Sequence, residues 1–334
     1  MPAACTIVTR SHLAQARVVA SSFVQRHPDA TFVTLVLDDE DRTIGADEPF
    51  DVARPDDVGI DRAELHRRGA MFGPHGLASS TKSVLLRHLV GQHGTAVYLD
   101  ADSCVYAEIS HVFELARRHG VVLTPNLAWP LSTADAGYPL EETFLKYSVF
   151  NGGFVAAGEP GAAFLDWWCD RSSRHCVEAP EQGYIYSEKW LTIVPAFFDH
   201  HVLHDPGINV LWWNLYDRDV EWRGSTPTIS GGPLRHFHFM GLDPANPVKL
   251  GSGDEATRAR FPGFERRPGT ARLCREYAAS VRAAGLDEAR RTPPPYVRLP
   301  DGQVFSDEAR TRYREAVEGA EASGAPEPSN PFER

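Results

Sequence analysis

The sequence predicts an α/β protein: a mostly parallel sheet flanked by helices, followed by a helical C-terminal extension. Three observations carry this. Residues 5–9 (CTIVT), 13–25 and 31–37 (TFVTLVL) read as strand, helix and strand, the order that makes a right-handed crossover between parallel neighbours. Two apolar strands, 31–37 and 96–99, run straight into acidic residues, and the carboxyl edge of such a sheet is where ligands bind. Beyond Leu250 the composition shifts to Arg, Ala and Glu at helical spacing.

Each element has its own signal. Residues 5–9 are apolar and β-branched, hence a buried strand. Pro28 breaks the helical pattern of 13–25 before the second strand begins. Residues 51–77, rich in charge, glycine and proline, read as irregular chain. A helix is expected over 79–90, with Ser79 or Ser80 as its cap. Residues 96–99 (AVYL), 121–124 (VVLT) and a segment opening at 150–156 are further strands. Residues 161–174 form an amphipathic helix carrying Trp167 and Trp168, which suit core packing. A helix over 188–198 is ended or kinked by Pro195. Residues 206–213 and 234–239 are aromatic and extended. Helices are expected over 272–284 and 307–320. The organisation expected is a catalytic domain over 1–250, a helical extension over 251–316 and a mobile tail over 317–334.

Composition narrows the function. A chain of 334 residues with 42% hydrophobic and 24% charged residues has material for a sizeable core. With 34 basic against 45 acidic residues the net charge is −11, which argues against the basic face that nucleic-acid binding needs. No apolar run approaches the ~20 residues of a membrane-spanning helix, and the N-terminus lacks the pattern of a signal peptide. Five scattered cysteines without a C-x-x-C pair suit a reducing compartment. The expectation is a cytoplasmic protein with no nucleic-acid partner and no integral membrane segment.

The chemistry centres on Asp100-Ala101-Asp102, directly after the AVYL strand. Two hard oxygen donors at i and i+2, held rigidly at a sheet edge, suit Mg²⁺ or Mn²⁺ and leave positions for phosphate oxygens. Two other D-x-D strings, Asp39-Glu40-Asp41 and Asp217-Arg218-Asp219, read as surface turns, since polar neighbours surround the first and no clear strand precedes the second.

Several segments in fixed order then resemble the GT-A glycosyltransferases of bacteria, near the retaining family 8 group. They are TRSHLAQARVVASSFVQRHPDATFVTLVLDD, KSVLLRHL with AVYLDADSCVY, FNGGFVAAG with FLDWW, EKWLTIVPAFF, HDPGINVLWWNL and GGPLRHFHFMG. The resemblance spans about residues 4–250. It implies a Rossmann-like GT-A fold, a divalent ion (Mn²⁺ or Mg²⁺), and a nucleotide-sugar donor, UDP-linked, whose hexosyl unit passes to a hydroxyl acceptor with retention. It also implies His238, in an H-x-x-G setting with Gly241, as third metal ligand beside Asp100 and Asp102. His236 is expected on the opposite face. The loop Thr9, Arg10, Ser11 and His12, with Asp39, is implied to cradle base and ribose, Asp39 being also readable as part of a solvated acidic turn. Lys82 would touch the donor diphosphate or sugar, unless it simply faces solvent from its helix. Ala101 and Gly241 would line the donor site, and Asn151, before Gly152-Gly153, would face the sugar.

Ser187-Glu188 departs from the pattern, because similar proteins usually carry Asp-Gln there. A carboxylate at Glu188 could stabilise oxocarbenium character or attack the anomeric carbon. Asp102 and Asn151 join it in the expected catalytic set. Trp212, Trp213 and Asn214 lie on the expected acceptor side, where sugar stacking and core packing are both open. A second copy of the chain is a candidate partner. Two rival readings remain at this level. A sugar-phosphate nucleotidyltransferase shares the general fold but needs a glycine-rich loop after the first strand, and CTIVTRSHLAQAR has none. A non-catalytic sugar-nucleotide-binding protein is motivated by Ser187-Glu188.

Overall fold

The computed structural model describes residues 1–131, 141–215, 219–247, 250–251 and 264–333. A seven-stranded sheet forms its centre. It contains β1 (Ala3–Val8), β2 (Thr31–Val36), β3 (Asp51–Ala53), β4 (Thr95–Leu99), β6 (Val121–Pro125), β7 (Phe150–Gly158) and β10 (His201–Val202). Their spatial order is β10-β6-β7-β4-β1-β2-β3. β1 pairs in parallel with β2 and β4, and β2 with β3. β7 runs antiparallel between β4 and β6. The sheet is therefore mostly parallel, as expected, with one reversed strand.

Every residue of β1, β4 and β7 is buried, because helices cover both faces, the condition under which parallel strands become continuously apolar. Side chains alternate between two cores. Ala3, Cys5 and Ile7 of β1 pack with the core that includes Leu85 and Trp168. Ala4 and Val8 pack with Val19, Phe23 and Phe113 on the other side. The first face is covered by α2 (Arg62–His93) and α5 (Ala162–Arg174), and the second by α1 (Leu13–Arg26) and α3 (Ser110–His119). Trp168 is fully buried and Trp167 packs against the same core, as the sequence predicts.

α2 corrects one expectation. The irregular chain read over 51–77 contains the first half of a helix that starts at Arg62. Asp61 caps it by accepting the Glu64 amide at 2.8 Å. Gly73, at φ 70° and ψ −178° and next to Pro74, breaks the run, so α2 is two helical segments joined at a sharp kink. Neither Ser79 nor Ser80 is a cap. Ser79 pairs with Ser187 at 2.8 Å, and Ser80 bonds back to the Leu77 carbonyl. The segment 188–198 is a 3-10 turn (Lys189–Ile193) followed by the short α6 (Val194–Phe197). Pro195 lies in the first turn of α6, where its missing N–H is no loss.

Smaller pieces complete the frame: α4 (Glu141–Lys146), the pair β8 (Glu178–Ala179) and β9 (Tyr184–Ile185), and a three-stranded sheet of β11 (Glu221–Arg223), β12 (Thr226–Ile229) and β13 (Gly232–Pro233). Two short strands matter more. β5 (Ser103–Val105), just past the acidic motif, pairs antiparallel with β14 (His236–His238). A third core joins Ala14 and Val18 of α1 to Val210, Trp212, Phe237 and Phe239. Leu273, Tyr277 and Val281 of α7 (Pro268–Ala283) and Leu286 of α8 (Leu286–Ala289) belong to the same core. The last helix, α9 (Asp307–Ser323), runs past Ala320, and the chain beyond it returns to α2. Glu327 reaches Arg67 at 3.2 Å, and the Phe332 ring meets Tyr296 edge-on at 5.2 Å.

Candidate active site

The site is assembled at the carboxyl end of β4. The Asp100 amide donates to the Gly153 carbonyl at 2.9 Å, continuing the β4–β7 ladder one step past the strand. The chain then turns, and the Ser103 hydroxyl accompanies it by donating to the Asp100 carbonyl at 2.6 Å. β5 follows and pairs His238 with Ser103, while the Phe239 amide donates to the Asp102 carbonyl at 2.7 Å. A histidine 136 residues away in sequence from Asp102 is thereby placed beside it.

The His238 Nε2 lies 2.9 Å from Asp102 Oδ1 and 3.6 Å from Asp100 Oδ2. Ligand atoms of Asp100, Asp102 and His238 all fall within 4.8 Å of one another, and among the described residues this is the one cluster of three or more such groups. Two carboxylate oxygens and one imidazole nitrogen fit a hard divalent ion, the imidazole favouring Mn²⁺ over Mg²⁺. The backbone leaves room for the cluster only because residue 153 is glycine. A Cβ there would sit 2.7 Å from Asp100 Oδ2 and 2.8 Å from the His238 ring.

Charges around the cluster are interlocked. The Lys82 ammonium, on α2, donates to Asp100 Oδ1 at 2.9 Å and to the Gly152 carbonyl at 3.0 Å, and it lies over the Tyr98 ring. The Tyr98 hydroxyl donates to the same Asp100 oxygen at 2.7 Å. Burial pushes the Asp100 carboxyl up, but Lys82, His238 and these hydrogen bonds outweigh it and hold the group below the usual carboxylate range. Burial likewise opposes charge on His238, yet Asp102 and Asp100 raise the imidazole above its ordinary value. The cluster thus concentrates negative charge that a proton or a cation neutralises.

Asn151 and Glu188 stand beside it. Asn151 Oδ1 accepts from the Gly153 amide at 2.8 Å and from the Asn209 side chain at 3.1 Å. Glu188 Oε2 accepts the Gly152 amide at 2.7 Å. Burial raises this carboxyl above its ordinary range, against the pull of the Gly152 N–H and Lys82. Ser187 points elsewhere: it is buried against Ser79, and its carbonyl accepts from Trp168 at 2.9 Å.

The donor-side residues divide. Thr9 and Ser11, at the end of β1, share a 2.8 Å hydroxyl contact. Arg10 turns its guanidinium to Asp39 at 2.7 Å and to Asp41. Asp39 is not a solvated turn residue. It is buried, bonded also to Arg54 at 2.7 Å and to the Thr43 amide at 3.0 Å. Its acceptor positions are consumed internally, and its neighbours Asp38, Glu40 and Asp41 are the carboxylates that face a cleft. Ala101 packs against the core beneath the motif, and Gly241 adopts φ 76° in the turn after β14. Trp212 is buried in the third core, with Trp213 half-buried against it. Asp219 caps α7 through the Thr270 amide at 3.0 Å, whereas Asp217 and Arg218 lie outside the described residues.

His236 corrects another expectation. Residues two apart on a strand share a face, so His236 lies on the same side as His238, one layer deeper and edge-on to Phe154. Neither ring nitrogen has a hydrogen-bond partner among the described residues, and burial, with the His238 charge next, pushes its pKa down to about 3. Sequence reading also missed Tyr98, whose position two before Asp100 puts both on one strand face, and Asn209, which carries no local signal.

No family model matches the sequence. The uncharacterized protein YfnF of Bacillus subtilis (strain 168) is 26% identical over 170 residues, covering 49% of this chain and 55% of that protein. The matched region is thus about half the length of that relative. Among solved structures, the galactosyltransferase LgtC, crystallised with donor and acceptor sugar analogues, is similar at 13% identity and a TM-score of 0.47, over 83% of this chain and 95% of its own. Mouse xyloside xylosyltransferase 1 is similar at 13% identity and a TM-score of 0.39, over 71% and 97%. The glycosyltransferase GlyE of Streptococcus pneumoniae TIGR4 is similar at 12% identity and a TM-score of 0.47, over 90% and 67%.

Proposed function

We propose that this chain is a metal-dependent glycosyltransferase of the GT-A type, moving a hexosyl unit from a nucleoside diphosphate sugar, UDP-linked, to a hydroxyl acceptor with retention. One observation carries the reading: Asp100 and Asp102, at the carboxyl edge of a mostly parallel sheet, converge with the distant His238 into a three-ligand cluster within 4.8 Å. When bound there, a divalent ion would supply Lewis-acid stabilisation of the charge that develops on the departing diphosphate.

The chain's own groups have roles to match. The Lys82 ammonium, fixed by Asp100 and the Gly152 carbonyl, offers a second cation at the same edge. Glu188 holds a carboxylate oxygen against the Gly152 amide. From there it stabilises positive charge at the anomeric carbon, or attacks it and expels the nucleoside diphosphate to form a glycosyl ester. The acceptor oxygen then displaces the Glu188 carboxylate, its proton passing to the released phosphate. The Asn151 side chain has its oxygen engaged by Gly153 and Asn209, so the group it would offer a sugar hydroxyl is its NH₂.

The test is UDP release from UDP-sugars with Mn²⁺, in wild type and Asp102→Ala. Loss of one ligand is expected to lower turnover at least about 100-fold, as chelation does in wild type. Turnover that survives both rules the metal reading out. The inward-facing Ser187 hydroxyl favours one competitor, a sugar-nucleotide binder without transfer activity; tight donor binding with no hydrolysis across many acceptors would support it. Pyrophosphate release from a nucleoside triphosphate and a sugar phosphate would support a nucleotidyltransferase.

A further inference from the structure

A cleft of about 390 Å³ opens at the ends of β1 and β2, outside the metal-type cluster. Arg10, Leu37, Asp38 and Glu40 line one side, and Tyr296 and Phe332 of the C-terminal segment line the other. β1 lies between β4 and β2, so at ~4.8 Å per strand the cleft is about 10 Å from the end of β4. The loop Thr9–His12 spans that interval, and its His12 ring is near enough to Asp102 to feel its charge.

The two C-terminal aromatics are held there by specific contacts. Tyr296 has φ 59°, a conformation that non-glycine residues seldom adopt. Arg310 of α9 fixes its carbonyl at 2.7 Å. The ring lies so close on α2 that a Cβ at Gly69 would meet it at 2.5 Å. Phe332 packs edge-on to Tyr296 and to Phe305, each at 5.2 Å. Arg67 tethers the intervening chain by pairing with Glu321 at 2.6 Å and Glu327 at 3.2 Å. The opposite wall carries Asp38, Glu40 and Asp41 with one guanidinium, Arg10, which pairs with Asp39 and Asp41. Glu40 faces Arg62 and His66 at 3.7 Å. Among the lining residues carboxylates outnumber guanidinium groups three to one. Asp38 accepts the Arg10 amide at 2.8 Å on one oxygen, and no described residue bonds its other oxygen. Carboxylates accept hydrogen bonds from hydroxyl and N–H groups and repel phosphate.

We infer that Tyr296 and Phe332 complete the donor site as the apolar wall of a nucleoside pocket, with Asp38 and Glu40 facing the ribose hydroxyls and base N–H groups. The acidic wall then sets the direction of the ligand, its phosphates turned away toward Lys82 and the three-ligand cluster. This rests on the donor reading above and assigns the C-terminal segment a part in recognition that the metal cluster does not require.

The experiment titrates UDP, GDP, ADP, CDP and dTDP, each with Mn²⁺, into the full chain by calorimetry. Inorganic pyrophosphate with Mn²⁺ probes the metal end alone. Phe332→Ala and a chain ending at Asn330 are expected to weaken the best-bound nucleoside diphosphate about tenfold. Pyrophosphate binding should not change, and Phe332→Tyr should restore the nucleotide affinity. Wild-type nucleotide affinity in a Phe332→Ala chain that melts normally overturns the wall assignment and leaves the metal reading intact. So does a wild-type chain that binds every nucleotide no better than pyrophosphate. If wild type binds neither nucleotide nor pyrophosphate with Mn²⁺, the donor reading fails and takes this inference with it.

Discussion

Gly153 lies across the ladder from Asp100, and one methyl group there would collide with Asp100 Oδ2, Asn151 Oδ1 and the His238 ring at 2.7–2.8 Å. No flexible chain end is available to give way, since His238 is clamped by β5 and Asn151 by Asn209. Gly153→Ala is therefore expected to spread the three ligands and weaken Mn²⁺ binding at least about tenfold, read by Mn²⁺ paramagnetic resonance titration. Unchanged affinity in a folded variant would mean that the cluster is not the ion site. At this scale the sequence was legible for Asp100, Asp102 and His238, which stand in recognisable strings. It was not legible for Asp39, whose acidic neighbours suggest water while two arginines and two backbone amides bury it. Charge runs report composition, but burial depends on partners from elsewhere in the chain.

Among the elements, α2 shows why breakers mislead. Gly69, Gly73, Pro74 and Gly76 look like a loop, yet only Gly73 leaves helical geometry, and helix resumes directly after it. The carbonyls just before the kink find a donor in Arg310, which bonds Gly69 O at 2.6 Å and Ala70 O at 2.9 Å. A buried cation at what is locally a helix C-terminus satisfies orphan carbonyls and opposes the helix dipole. Arg310→Met would leave these acceptors and the Tyr296 carbonyl unpaired. The expected loss is about 3 kcal/mol of stability, read from urea midpoints, with Tyr296 accessibility rising in parallel. An unchanged midpoint would show that the kink is stable without α9. The second half of α2 carries Lys82 to Asp100, so this distant arginine supports the register in which that contact forms.

For the molecule as a whole, the C-terminal helices close a core that the sheet domain begins. Tyr277 of α7 stacks on Phe239 at 3.8 Å, next to His238, and Arg17 of α1 donates to the Ala284 carbonyl at 2.7 Å. A chain ending at Leu250 would bare Phe237, Phe239 and Leu234, all buried in the intact protein. It is expected to lose cooperative unfolding and metal affinity together, measured by denaturation and Mn²⁺ titration. A soluble, cooperatively folding truncation would show that residues 1–250 are an independent domain. What the sequence by itself determined were the features encoded locally: the buried strands, the helix periods and the acidic pair at a strand end, because side-chain spacing along one segment decides them. The resemblance had already set His238 beside Asp100 and Asp102, but only the tertiary structure decided that Lys82 meets Asp100 and that Tyr296 and Phe332 line the cleft beside the ends of β1 and β2. Those meetings depend on strand pairing and helix packing between segments far apart in the chain, and no local pattern specifies such a partner.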